Sequence, residues 1–201
     1  MTTLVAGSLR AFIDTMASEL EGASVVVVPT AAAFVGAVQA ALEIATALEP
    51  TGADVEALMV LDRAGAHETA LAERVARADF VVLSDGAALH ARAVWRDSAF
   101  GDSLAGARLV AIGSVATVLG RVMIDPRGGA PTIGLGYRRG AVLTVPATSE
   151  QLERTRRLLA GDEPLVVVGA RGVLAESDGR WRIVVTDDVE VTNGDLGTSL
   201  D

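Results

Sequence analysis

Short apolar runs, each stopped by Gly, Pro, Ser or Asp, alternate along this chain with stretches whose apolar residues recur at helical spacing. Thr3 to Ala6 is one such run, closed by Gly7-Ser8, and Leu9, Phe12, Ile13, Met16 and Leu20 then mark a helix over 9–20. Ser24 to Val28 is a continuous β-branched run stopped by Pro29, the pattern of a strand buried on both faces, and Ala31 to Leu48 reads as an alanine-rich helix. Val55 to Leu61 is a third strand, His67 to Ala78 a helix, Phe80 to Leu83 a fourth strand followed by Ser84-Asp85-Gly86, and Leu89 to Arg96 another helix. Leu109 to Ile112 makes the fifth strand, with Ser114 to Met123 as its helix. This regular alternation with short connections predicts a right-handed parallel sheet covered by helices on both sides.

The last third differs in kind. Asp125 to Gly136 (DPRGGAPTIGLG) is too rich in Gly and Pro for a regular element and reads as an ordered loop crossing the carboxyl ends of the strands. Ala141 to Val145 is a strand, and Ser149 to Ala160 a helix capped by Ser149. Leu165 to Val168, Gly172 to Glu176 and Trp181 to Val185 read as strands, the last two joined by the hairpin turn Ser177-Asp178-Gly179, so that an antiparallel edge closes the sheet. The expected organisation is one domain over 1–191 and a polar, frayed tail over 192–201.

Composition narrows the function classes. The 201 residues are half apolar, enough for the core of one sizeable domain. There is no Cys, which removes disulfides, thiolate metal sites and a cysteine nucleophile. The net charge of −9 argues against a nucleic-acid partner. The start lacks the pattern of a signal peptide and no apolar run is long enough for a membrane span, so the expectation is a soluble cytoplasmic protein. No dinucleotide or P-loop glycine pattern follows a strand, and no His or carboxylate cluster has metal-ligand spacing, so neither cofactor nor metal is expected.

Four segments carry a family resemblance: VVVVPTAAAF (25–34), FVVLSDGAALHARAV (80–94), AIGSVATVLGRVMIDPRGGAPTIGLG (111–136) and GVLAESDGRWRI (172–183). Together they resemble the cyanophycinase and dipeptidase E group of serine peptidases, which share the class I glutamine amidotransferase-like fold. The resemblance is most specific in VMIDPRGGAPTIGLG. It implies a flavodoxin-like three-layer α/β sandwich, a nucleophile elbow after the central strand, and a His on a later loop that activates it.

At the catalytic positions the chain departs from that pattern. The family elbow reads G-x-S-A-G-A. Aligned on V-L-G, Ala111 takes its first Gly, Gly113 the nucleophilic Ser, Ser114 its Ala and Val115 its second Gly. Val115 in a glycine position implies that the tight turn has relaxed. The region of the family His reads VLTVPATSEQ, where Pro146, Ala147 and Thr148 supply no base. The upstream Gly-Gly that donates an oxyanion amide corresponds to Asp85-Gly86, where a carboxylate opposes a developing oxyanion.

Two readings of Ser114 follow. In one it caps the helix that it opens, bonded to an amide of that helix. In the other a one-residue shift makes it a nucleophile, with His90 as base and Asp85 orienting the ring. Asp125 and Arg127 likewise have two readings: a carboxylate-binding pocket wall, or a self-held loop in which Asp125 accepts backbone amides and Arg127 pins a carbonyl. Gly86, Ala87, Gly113, Ser114, Val115, Asp125 and Arg127 are the candidate pocket residues.

The expected function is that of a catalytically inactive homologue, a pseudoenzyme that keeps the cleft for a peptide, a small molecule or a partner such as an active paralogue. The alternative is a serine hydrolase that uses Ser114 on an acidic or β-linked peptide. Trp95 and Trp181 read as packing residues; an exposed Trp95 helix or the hairpin edge is the candidate surface for a homodimer.

Overall fold

The computed structural model describes residues 2–159, 164–192 and 196. Its main element is a seven-stranded sheet built from β1 (Thr2–Ala6), β2 (Ser24–Val28), β3 (Asp54–Ala57), β4 (Phe80–Leu83), β5 (Leu109–Ile112), β10 (Val173–Ser177) and β11 (Arg180–Val185), in the order β11-β10-β1-β5-β4-β2-β3. The five strands β1 to β5 run parallel, with Leu4 opposite Val110 and Leu83 opposite Ala111. The last two strands pair antiparallel at one edge. This is the mostly parallel α/β sheet with an antiparallel carboxyl-terminal edge that the sequence pattern predicted.

Strand side chains alternate between faces, so the unbroken β-branched runs feed two separate cores. Val25, Val27, Phe80, Val82 and Val110 pack against Phe12, Met16 and Leu20 of α1 (Leu9–Leu20) and Ala41, Ile44 and Leu48 of α2 (Ala37–Leu48). Val26, Val28, Val81, Leu83, Leu109 and Ala111 pack on the opposite face. There they meet the buried side chains of α3 (Arg63–Ala66), α4 (Thr69–Arg77), α5 (Ala88–Trp95) and α6 (Ala99–Gly106).

Several local expectations are corrected. The helix expected over 31–48 begins only at Ala37: a 3-10 turn over Thr30–Ala32 and Gly36, at φ 125°, intervene. The stretch expected as one helix over 67–78 is preceded by α3 and starts at Thr69. Helix α6 was not expected; Ser98 caps it by accepting from the Gly101 amide at 3.0 Å. After β5 the chain makes only a 3-10 turn, Gly113–Val118, in place of the helix expected over 114–123. It then forms β6 (Val122–Ile124), paired with β7 (Pro131–Ile133) in a hairpin where a loop was expected. Val115, Thr117 and Val118 are stiff β-branched residues, and Thr117 Oγ1 accepts the Ile124 amide at 2.9 Å, which turns the chain back into a strand.

A second, three-stranded sheet holds β8 (Val142–Thr144), β9 (Leu165–Val168) and β12 (Val189–Thr192), in the order β12-β9-β8. The β9 run therefore leaves the main sheet, whose edge is closed by β10 and β11 alone. The helix α7 (Ser149–Leu158) is capped by Thr148, not Ser149: the Thr148 hydroxyl accepts the Gln151 amide at 3.2 Å, and Gln151 Oε1 accepts the Thr148 amide at 3.1 Å, a full capping box. Of the tail expected to be frayed, Thr192 ends β12 and Leu196 is buried in the core; the rest lies outside the described residues, as does Ala160.

Trp95 is fully buried, its Nε1 donating to Thr30 Oγ1 at 3.1 Å, so α5 offers no tryptophan surface to a second copy. Trp181 is also buried and donates to the Arg139 carbonyl at 2.7 Å. A polar tie crosses the core nearby. Arg138 donates to Thr3 Oγ1 at 2.5 Å and to the carbonyls of Ala105, Tyr137 and Ala107 at 2.8–2.9 Å, while its Nε lies 3.3 Å from Glu176. Burial lowers the Arg138 pKa, and the facing Glu176 charge opposes that shift. Among the described residues no helix is long and apolar enough to cross a membrane.

Candidate functional site

The site lies where β4 and β5 end side by side. Because Leu83 is opposite Ala111, the next turn of each strand brings Asp85 level with Gly113. Gly113 has φ 63°, the left-handed conformation that an elbow imposes on its central residue. Val115 is buried in the core, and the left-handed residue of the turn is a glycine, which adopts that conformation without strain. A Cβ placed on Gly113 would meet the carboxylate of Asp85 at 2.5–2.7 Å. The space that a nucleophile's side chain would need is filled by the neighbouring strand's carboxylate.

That carboxylate is held by donors. Asp85 Oδ1 accepts the Gly86 amide at 2.7 Å, the Ser114 amide at 2.8 Å and the Ser114 hydroxyl at 2.5 Å. The Ser114 oxygen also lies 2.6 Å from the Gly86 carbonyl, so two acceptors compete for its one proton. Ser114 therefore does not cap its own turn, which has no side-chain cap, and the relationship is inverted: Asp85 caps the start of the turn through the Ser114 amide. Gly86 cannot carry a side chain here, since a Cβ would meet the Ala31 carbonyl at 2.3 Å. The Ala87 amide donates to that same carbonyl at 2.6 Å and so fixes the entry to α5.

His90 is turned to other partners. Its Nε2 donates to the Leu61 carbonyl at 2.9 Å, and its ring stands 4.5 Å from that of Phe34. Of the proposed triad, Asp85 and Ser114 are thus in direct contact, whereas the hydrogen bond described for His90 joins it to neither.

A cavity of about 110 Å3 opens beside Ser114, between the 3-10 turn, the loop of the β6–β7 hairpin, the segment after β8, and α7. Its wall includes Ser114 and Asp125 from the predicted residues, together with Pro146 and Ala147 from the segment where the family resemblance places a histidine. Thr117, Thr144, Gln151 and Thr155 also line it and were not anticipated. Gln151 and Thr155 share one face of α7 at i, i+4 spacing, a signal that the sequence does carry.

Asp125 is the charged residue of this wall, and its Oδ1 accepts the Arg127 amide at 2.9 Å. Its carbonyl accepts the amides of Gly128 and Gly129, so it holds its own loop as one reading expected. Arg127 is exposed, and the bonds described for it are both through its backbone: besides its amide on Asp125, its carbonyl accepts Gln151 Nε2 at 3.3 Å. Its guanidinium pins no carbonyl among the described residues. Among the described residues no three His, Cys, Asp or Glu side chains are grouped to hold a metal ion.

Neither a protein-family model nor a curated protein matches the sequence. Solved structures do. A peptidase from an acI-B1 Actinobacterium superposes with a TM-score of 0.75 at 17% identity, over 94% of this chain and 89% of that one. A candidate peptidase E protein from Listeria monocytogenes EGD-e superposes with a TM-score of 0.60 at 15% identity, over 95% of this chain and 97% of that one. The chain therefore shares the flavodoxin-like α/β fold of these two proteins over nearly its whole length, the fold that its strand-end motifs predict.

Proposed function

We propose that this chain is a non-hydrolytic protein on a peptidase E-like fold, with its cleft kept for binding. The observation that carries this reading is the position of Asp85 Oδ1, bonded to the amides of Gly86 and Ser114 at 2.7 and 2.8 Å. Two converging amides beside an elbow are what an acyl-transfer site aims at a developing oxyanion, each such donor contributing about 3–4 kcal/mol. Here they are satisfied by the protein's own anion. A second negative charge 4 Å away would instead be opposed by about 4 kcal/mol near a protein surface. The electrostatic contribution thus reverses sign. Gly113 has no side chain to attack with, and no imidazole lines the cleft.

The walls indicate what the cleft would accept. Asp125 is its charged group, and the Gln151 amide is already committed to Arg127 and Thr148, so its side chains present oxygen acceptors and no cation. At about 110 Å3 the cavity is well short of the ~300 Å3 at which drug-sized sites begin. A small neutral or cationic group, such as a primary amine, fits this chemistry better than an acidic side chain.

A peptide ligand would then place its terminal amine here, and an active paralogue would be the natural source of such products. The test is a paired assay. Dipeptides with α- and β-linked Asp should give no amine release above the buffer blank, while glycinamide should shift the amide resonances of Asp125 and Thr155 and acetate should not. Turnover abolished by Ser114→Ala would instead establish the hydrolase reading.

A further inference from the structure

Seven large apolar side chains are exposed among the described residues, and four of them fall within nine positions: Phe34 (75% exposed), Val35 (83%), Val38 (73%) and Leu42 (58%). Val38 and Leu42 lie one turn apart on the outer face of α2, whose inner face buries Ala37, Ala41, Ile44 and Leu48. Phe34 and Val35 extend the stripe from the turn that precedes the helix. So α2 is apolar on both faces, which is unusual for a helix on the outside of a sheet.

Charge is absent from the same stretch. No charged residue occurs from Gly22 to Leu42, on a chain whose net charge is −9. The first that follows, Glu43, is already engaged by the Gln39 amide at 3.0 Å on the same helix face. We propose that this stripe is a twofold interface with a second copy of the chain.

Two acidic molecules repel wherever their charged surfaces meet, and the four stripe residues themselves bring no charge to the contact, with Glu43 at its border. A partner dense in charge of either sign would find nothing here to pair with. In an isologous contact the stripe meets itself, apolar against apolar. The four side chains expose on the order of 400 Å2 per copy, so a twofold contact buries roughly 800 Å2 from them alone, and the surrounding rim carries it past the ~1,000 Å2 expected of a specific interface. Because the Phe34 ring rests on His90, the contact would also close over the amino-terminal half of α5.

Sedimentation or light scattering of the full chain over a wide concentration range tests the proposal. The expected result is a dimer that Val38→Glu converts to monomer, weakening association at least tenfold while the variant keeps the far-UV circular dichroism of the folded chain, since Val38 is exposed. Ile133→Glu, at an exposed apolar residue elsewhere, should leave the dimer intact. A wild-type chain that stays monomeric, whether because another protein covers this face or none does, would overturn the proposal, as would a dimer indifferent to Val38→Glu.

Discussion

The hydroxyl oxygen of Ser114 lies 2.5 Å from Asp85 Oδ1, and the Ser114 amide donates to the same oxygen at 2.8 Å. One carboxylate thus occupies both the hydroxyl and the amide that a serine hydrolase would need free at this position. It also ties the ends of β4 and β5 together above the sheet.

Removing that carboxylate should cost stability. Asp85→Ala strands the Gly86 and Ser114 amides, and each loss of a partner for a polar group costs about 1–3 kcal/mol, here toward the low end because Asp85 is exposed and water can substitute. The expected result in urea unfolding is a lower midpoint for Asp85→Ala, with Asp85→Asn, which keeps one acceptor oxygen, closer to wild type. An Asp85→Gly variant should also let acetate reach the two vacated amides, seen as shifts of the Gly86 and Ser114 resonances that the wild type does not show.

Gly113→Ser alone should destabilise the chain. Its new Cβ would be forced to φ 63° and would meet the Asp85 carboxylate. Pairing it with Asp85→Gly removes the clash and leaves only the backbone strain. A double-mutant cycle should therefore show a coupling of at least ~1 kcal/mol, with the double variant more stable than the sum of the single effects. Additive effects would mean that Asp85 does not fill the elbow.

Tyr137 is the only tyrosine, so phenolate absorbance reports one site. Burial, reinforced by the Asp102 charge and opposed by Arg138, pushes its pKa well above the ordinary value of about 10. The neutral phenol is thus favoured in the folded state. The stability this contributes is fully present below pH ~10 and falls by about 1.4 kcal/mol for each pH unit above it, until the folded pKa is passed. Alkaline titration should show no phenolate through the range in which free tyrosine ionises, then ionisation coincident with loss of tertiary signal. A normal titration with the fold intact would contradict the packing around Tyr137.

Arg138→Ala should be among the most damaging single changes. It leaves Glu176 buried without its cation and removes the donors to Thr3, Ala105 and Ala107, and breaking such a pair typically costs about 3–5 kcal/mol. Arg138→Lys should recover little of this, because one ammonium cannot reach the same fan of acceptors. Thermal unfolding of the two variants checks the ordering.

The parallel strands were legible because a strand buried on both faces leaves an unbroken β-branched run, as in Val25–Val28 and Phe80–Leu83. Helix α6 was not, since Gly101 and Gly106 weaken the helical pattern; Gly101 is required by close packing, a Cβ there meeting the Trp95 carbonyl at 2.0 Å. The segment after β5 carried apolar residues at helical spacing, yet its stiff β-branched side chains and the Thr117 bond to Ile124 favour a short turn. In the candidate site, Gly113, Ser114, Asp85 and Pro146 could be singled out residue by residue from the strand ends and the segment after β8. That Asp85 sits in the elbow could not, because it depends on the register between β4 and β5, which sets Leu83 against Ala111. The spacing of Gln151 and Thr155 puts them on one face of α7, but which cleft that face walls depends on packing between segments distant in the chain.

Whether Ser114 can act as a nucleophile beside Asp85 separates a binding cleft from a hydrolytic one. Intact-mass measurement after treatment of the wild-type chain with a fluorophosphonate reads this directly. The expected result is no adduct, because the Ser114 proton is shared between Asp85 and the Gly86 carbonyl and no imidazole is bonded to it. A stoichiometric adduct on Ser114, absent from Ser114→Ala, would contradict the non-hydrolytic reading.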